Sequence, residues 1–319
     1  MENATVDAEQ IAQRSEEVLH QLSHAVDGQK TQLRLLWAAM LTGGHVIVEG
    51  VPGLGKTLMA RALGAVIDSS FARVQFTPDL MPSDVTGTQI FEGNTGSFHF
   101  KRGPLFSQIV LADEINRTPP KTQAALLEAM EEGQVTVDGK PEALPQPFFV
   151  IATQNPLEYE GTYPLPEAQL DRFAMKLIVD YPGEEEELAI LRSHHFAQRR
   201  EKKISSLITT EELLHFREWI TQIHAEESVL IYITSIIRAT REHPQVMLGA
   251  SPRAGVSLLS LSRASAVMDG RSYVTPDDIK GLVAPVLRHR LLLHPDAELE
   301  GMDADDLIRE ILRSVSVPR

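Results

Sequence analysis

GVPGLGKT, residues 50–57, is a complete G-x-x-x-x-G-K-[ST] phosphate loop. Gly50, Gly53 and Gly55 allow the backbone to turn tightly enough to aim several N–H groups inward, and the helix that follows adds its positive dipole end. Lys56 is placed to reach the β- and γ-phosphates as a point charge, and the Thr57 hydroxyl to take one position on Mg²⁺. Nucleotide contact is assigned to the whole run Gly50, Val51, Pro52, Gly53, Leu54, Gly55, Lys56, Thr57 and Leu58. Upstream, HVIVEG (45–50) is a short β-branched apolar run, and downstream LMARALGAVI (58–67) has helical spacing. The order strand, loop, helix is the context the motif requires.

A second block supplies the carboxylates. LFSQIVLADE (105–114) is an apolar strand ending in Asp113 and Glu114, where nucleotide hydrolysis needs one carboxylate to hold Mg²⁺ and a second to polarise the attacking water. FFVIATQNP ends its strand at Asn155, an amide able to orient that water and sense the γ-phosphate. In LPEAQLDRF the planar guanidinium of Arg172 can serve a transferring phosphoryl group. Arg253, in GASPRA at the start of a later helix, is expected to reach the γ-phosphate from across the cleft.

Composition bounds the rest. The chain has 319 residues, enough for two domains, and 44 acidic against 30 basic residues give a net charge of −14. That balance argues against broad binding to a nucleic-acid backbone, and no zinc module or aromatic-basic strand is present to read bases. Without cysteine there are neither disulfides nor thiolate metal sites. The polar, acidic N-terminus MENATVDAEQ is unlike a signal peptide, and no apolar stretch reaches the ~18 residues of a membrane span, so a cytoplasmic protein is expected. His20 and His24, and the adjoining His194 and His195, have no third ligand at metal-site spacing. The acidic run Glu184 to Glu187 reads as a helix start, where negative charge favours the dipole end.

Along the chain, residues 7–42 have helical spacing interrupted at VDGQK (26–30). Strands are predicted at 46–50, 72–76, 108–113 and 148–153, separated by helices, which indicates a parallel sheet covered on both faces. From Glu184 onward the pattern is almost wholly helical: 184–200, 210–225, 227–242, 252–269, 276–293 and 303–315. Two domains follow, 1–183 and 184–319, with a hinge near 181–184. Two segments are irregular, PDLMPSDVTGTQIFEGNTGSF (78–98) and EGQVTVDGKPEALPQPF (132–148). The second has a hairpin signature at Asp138-Gly139. Both suit either client contact or simple connection.

Taken together, GVPGLGKT, FTPDLMPSDVTG (76–87), RGPLFSQIVLADEINR (102–117), TQAALLEAMEEGQVTVDG (122–139), ATQNPLEYEGTYPLPEAQLDRF (152–173) and SPRA (251–254) resemble the MoxR family of AAA+ ATPases. The resemblance covers about residues 25–293. It implies an α/β P-loop core, a parallel sheet between helices, followed by an all-α lid. It further implies ATP and Mg²⁺ at subunit interfaces of a hexameric ring, and chaperone-like work on partner complexes, often proteins with von Willebrand A domains. By the same resemblance Lys56 and Thr57 are Walker A, Asp113 and Glu114 Walker B, Asn155 sensor 1, Arg172 the arginine finger and Arg253 sensor 2. Val26, Gly28 and Gln29 match the segment near adenine, and residues 78–98 the insert in the second helix. A GTPase is excluded because no N-K-x-D motif occurs. The remaining alternative is an ATPase of the same fold acting on nucleic-acid-bound complexes.

Overall fold

A computed structural model of the chain describes residues 7–94, 96–137, 139–156, 162–196 and 204–318. The first helix, α1 (Ala8–Ala25), starts where the Asp7 carboxylate accepts the Gln10 N–H at 2.8 Å. It buries Ile11, Ser15, Val18 and Leu22, a stripe spaced four, three and four residues apart. Each of its three aliphatic side chains contributes about 1.5–3 kcal/mol by leaving water. α2 (Lys30–Thr42) stops at Gly43, whose φ of 73° ends the helix in the left-handed region. Trp37 of α2 is fully buried and donates its indole N–H to the Ser15 hydroxyl at 3.0 Å, tying the two helices together.

The core continues through β1 (Val46–Glu49), α3 (Lys56–Ile67), β2 (Phe71–Gln75), α4 (Pro82–Thr86), β3 (Gly87–Glu92), β4 (Ser97–Arg102), β5 (Ile109–Asp113), α5 (Pro120–Glu132), β6 (Gln134–Val137), β7 (Lys140–Ala143), β8 (Phe149–Gln154), α6 (Glu167–Leu170) and β9 (Met175–Ile178). Five strands form one parallel sheet in the order β2-β5-β8-β1-β9. β5 is buried throughout, as a strand covered on both faces must be. The pairings Gln75 with Asp113 and Glu49 with Gln154 bring the carboxyl ends of the strands to one edge. The amino ends meet at the other, where the Ala174 N–H donates to the His45 carbonyl at 2.8 Å.

Beyond the sheet come α7 (Glu184–Phe196), α8 (Thr210–Thr221), α9 (Glu227–Glu242), β10 (Val246–Leu248), α10 (Pro252–Met268), α11 (Pro276–Leu287), β11 (Leu292–Leu293), α12 (Pro295–Leu299) and α13 (Ala304–Ser314). α10 and α11 both start with proline at the first helical position, and a Thr275–Asp278 capping box closes the start of α11. One apolar cluster joins α1, α2 and α3 to Leu258, Leu261, Ile279 and Val283 of the lid. A second fills the opposite face of the sheet with Phe76, Leu105, Leu126, Leu127, Val150 and Phe173.

Three sequence expectations are revised. A fifth strand, β9, joins the sheet at Met175–Ile178, just ahead of the segment read as a boundary. Segment 78–98 is not irregular throughout. After the short α4 it forms an antiparallel hairpin, Gly87 with Arg102 through Glu92 with Ser97, its ends closed where the Gly96 N–H donates to the Glu92 carbonyl at 2.9 Å. The helix predicted over 276–293 ends at Leu287, since Leu292–Leu293 pair instead with Val246 and Leu248. The predicted 184–200 helix is seen to Phe196, its remainder lying outside the described residues. The 132–148 hairpin is present as β6 and β7, with Asp138 of its turn outside the described residues.

Candidate active site

The phosphate loop leaves β1 under a tight constraint. A Cβ on Gly50 would lie 2.5 Å from the Val179 carbonyl oxygen, so only glycine lets the loop pass the chain extending from β9. Gly53 and Gly55 have φ of 89° and 81°, and no heavy atom lies within 4 Å of a Cβ built on either. Space beside both glycines is therefore open. Gly55 caps α3 without a side-chain acceptor, leaving the first helical N–H groups for an anion. Lys56 and Thr57 stand in the first turn of α3, half-buried, and the Lys56 ammonium donates to the Gly50 carbonyl. Leu54 packs on the apolar cluster below, whereas Pro52 and Leu58 are exposed and Val51 half-buried.

Asp113 and Glu114 lie two strands away on the same edge. The Thr153 hydroxyl donates to Asp113 Oδ1 at 2.6 Å and accepts the Glu114 N–H at 2.9 Å. Asp113 Oδ2 accepts from Arg73 Nε at 3.0 Å and Nη2 at 2.7 Å. Glu114 adopts φ 57° and ψ 51°, a left-handed conformation that costs a non-glycine residue about 1 kcal/mol or more. Its Oε2 accepts from Gln75 Nε2 at 2.7 Å and from Arg117 Nη1 at 3.2 Å. Asn155 follows the end of β8 and is buried. The open glycine turn and uncapped helix start fit a polyphosphate, and the Thr57 hydroxyl and Asp113 carboxylate are the hard oxygen donors that suit Mg²⁺.

The segment assigned to adenine is at this edge too. Val26 and Gln29 are buried, and a Cβ on Gly28 would meet the Glu186 carboxyl group of α7 at 3.1 Å. Gln32 donates to the Ile178 carbonyl at the end of β9 at 3.1 Å. The acidic run begins α7 as expected, with Glu186 accepting the Gly183 N–H at 3.0 Å.

The two distal arginines are elsewhere. Arg172 precedes β9 and pairs with Glu131 at 2.8 Å, while Arg253 at the start of α10 pairs with the same carboxylate at 3.0 Å. Glu131 adjoins Met130, whose carbonyl meets His45 Nε2 at 3.1 Å just ahead of β1. Both guanidiniums thus lie at the amino edge of the sheet, opposite this chain's own phosphate loop. For Arg253 this is a correction: the lid does not bring it across to its own loop. The cause is where the lid packs. Arg290, just after α11 and almost wholly buried, donates to Asp171 Oδ1 at 2.7 Å and to the Phe173 and Ala174 carbonyls at 2.7 and 3.2 Å. Ser251 donates to Asp171 Oδ2 at 2.8 Å. These bonds fasten the start of α10 beside the arginine-bearing loop.

Sequence reading missed Arg73, Gln75, Thr153 and Glu131. Arg73 and Gln75 carried a usable signal, two polar residues at alternate positions of RVQF, hence on one face of an edge strand beside the carboxylates. Among the described residues no group of three His, Asp or Glu forms a metal cluster. The His20 and His24 rings meet at a tilt of 54° with centroids 4.3 Å apart, and the side chains of His194 and His195 lie outside the description. Among the described residues no helix is long and apolar enough to cross a membrane.

A P-loop beside a strand-end Asp-Glu pair, on a five-stranded parallel sheet with a helical lid, defines an AAA+ ATPase, an enzyme that binds and hydrolyses ATP. The profile of the ATPase family associated with various cellular activities matches residues 45–175, and that of the AAA lid domain matches 238–311. Protein YeaC of Bacillus subtilis is 49% identical over 93% of this chain and 92% of its own. Chaperone MoxR1 of Mycobacterium tuberculosis is 38% identical over 95% of this chain and 82% of its own. A crystal structure of an ATPase from Cytophaga hutchinsonii superposes with a TM-score of 0.90 at 40% identity, covering 98% and 97% of the two chains. The chain belongs to the MoxR family of AAA+ ATPases, whose named members include chaperones.

Proposed function

We propose that this ATPase works as a ring, hexameric by family resemblance, in which Mg²⁺-dependent ATP hydrolysis is completed between subunits and drives remodelling or assembly of partner protein complexes, von Willebrand A domain proteins among them. The observation that carries the reading is the location of Arg172 and Arg253, on one carboxylate at the edge opposite their own phosphate loop. Such a pair can serve ATP only when a neighbouring subunit presents it.

In this reading Lys56 and the N–H groups of residues 50–57 hold the β- and γ-phosphates. Thr57 and Asp113 would hold Mg²⁺, which would supply charge neutralisation on the phosphoryl oxygens. Glu114 takes the proton of the attacking water as the water oxygen bonds to the γ-phosphorus and the bond to the β,γ-bridging oxygen breaks. Asn155 orients that water. Arg172 of one subunit stabilises charge on the γ-phosphoryl of the next, with Arg253 beside it. Val26, Gly28 and Gln29 border the base. The core and lid divide after Gly183, so residues 181–184 form the hinge through which nucleotide state changes the interdomain angle.

The test is Glu114→Gln. The variant binds ATP, loses turnover, and as affinity bait retains a protein partner with ATP but not ADP. Wild-type hydrolysis by this variant would remove Glu114 from its role, and capture independent of nucleotide would count against ATP-driven remodelling.

A further inference from the structure

Arg73 lies on the edge strand β2, two residues before Gln75 and therefore on the same face. Four side chains form one continuous chain of hydrogen bonds across the site. Asp113 Oδ2 accepts from Arg73, the same Arg73 Nη2 donates to Gln75 Oε1 at 3.0 Å, and Gln75 Nε2 donates to Glu114 Oε2 at 2.7 Å. Asp113 Oδ1 accepts from Thr153 and Oδ2 accepts both bonds from Arg73, so a divalent cation drawn to this carboxylate meets a charge already paired with it. The two partners differ in access: the Arg73 side chain is 49% exposed and that of Asp113 only 12%. A solvent-reachable cation thus sits on a sheltered carboxylate, and the residue it leans on also holds the carboxylate read as activating water.

We propose that Arg73 is a resident cation at Asp113 that exchanges with Mg²⁺. The inference rests on the reading of Asp113 as the metal carboxylate. It has a signature that ordinary destabilisation lacks. With no metal present, Arg73 neutralises Asp113 against the incoming polyphosphate and so favours nucleotide. With metal present, Arg73 competes for the same carboxylate and so opposes it. The two effects have opposite signs and partly cancel at saturating Mg²⁺.

The experiment follows binding of a fluorescent non-hydrolysable ATP analogue, first in EDTA and then across a MgCl₂ titration, to wild type, Arg73→Met, Arg73→Gln, Arg73→Lys and Asp113→Asn. Removing the charge should weaken metal-free binding by about fivefold and lower the half-saturating Mg²⁺ concentration by about fivefold, the scale of a partly exposed ion pair. Arg73→Gln should reproduce Arg73→Met, and Arg73→Lys, which keeps a cation, should stay near wild type. Thermal melting in the absence of nucleotide establishes that each variant is folded. If the Arg73→Met and Arg73→Gln limbs both weaken, or neither moves, while Asp113→Asn abolishes the Mg²⁺ response, the exchange is wrong and the metal reading of Asp113 stands. If Asp113→Asn keeps the full Mg²⁺ response, the metal reading itself fails and the exchange fails with it.

Discussion

Acidification from neutral pH should destabilise this protein through His45. His45 precedes β1 and is buried between Met130 and Val150. The Val150 N–H donates to Nδ1 at 3.0 Å, so the proton of the neutral ring sits on Nε2 and is donated to the Met130 carbonyl at 3.1 Å. Burial pushes the pKa down to about 4, against a partial opposing pull from the Met130 carbonyl and with a further push from the Arg217 charge. The unfolded chain takes a proton near pH 6.5 that the folded chain refuses until about pH 4. Stability is therefore full above about pH 6.5 and is lost as pH falls through the window between the two values. One unit corresponds to about 1.4 kcal/mol, so lowering pH from 7 to 5 costs about 2 kcal/mol from this residue. Buried His289, bonded to the Phe173 carbonyl at 3.1 Å and also held well below its ordinary value by burial, adds loss of the same sign. Urea unfolding of wild type and His45→Leu at pH 7, 6 and 5 reads the effect. The leucine variant leaves two buried backbone groups unpaired and is less stable at pH 7 by about 2 kcal/mol or more, yet its pH slope is shallower, with only the His289 share left. An identical slope in both proteins would refute the reasoning.

Two further substitutions probe the edges of the sheet. Gly50→Ala places a methyl group 2.5 Å from the Val179 carbonyl, so the loop must shift; nucleotide affinity should fall at least about tenfold in a chain that still melts cooperatively, and unchanged affinity would contradict the close approach. Asp171→Ala strands the guanidinium of Arg290 in the interior, which should cost about 3–5 kcal/mol in unfolding measurements, and a loss below about 1 kcal/mol would show that the carbonyl bonds alone hold Arg290.

What was legible in the sequence was local. GVPGLGKT, the apolar strand into Asp113 and Glu114, and the strand into Asn155 each carry their chemistry within a dozen residues, and each stands at the carboxyl edge where parallel strands deliver it. β9 escaped because Lys176 interrupts its apolar run, and the ion pair with Glu49 at 2.6 Å that accommodates it is visible only in three dimensions. The position of Arg253 was not readable for a different reason. Its side of the sheet depends on Arg290 and Ser251 gripping Asp171, contacts between segments 119 and 80 residues apart. Helical periodicity says which face of α10 is buried and nothing about which edge its first turn meets. Arg73 shows the intermediate case, where alternation in RVQF was present but acquires meaning only once β2 is known to neighbour β5.

The claim that catalysis is completed between subunits is tested most directly by mixing two inactive proteins. Lys56→Ala lacks a working pocket but retains Arg172, and Arg172→Ala lacks the finger but retains its pocket. An arginine supplied across an interface is worth about 10³ to 10⁵ in rate, so each variant alone should be nearly silent. In verified mixed rings ATP hydrolysis should reappear, and the specific activity of wild type should rise with protein concentration as rings assemble. Mixed rings with no activity, or a wild-type monomer whose specific activity is independent of concentration, would contradict the shared site.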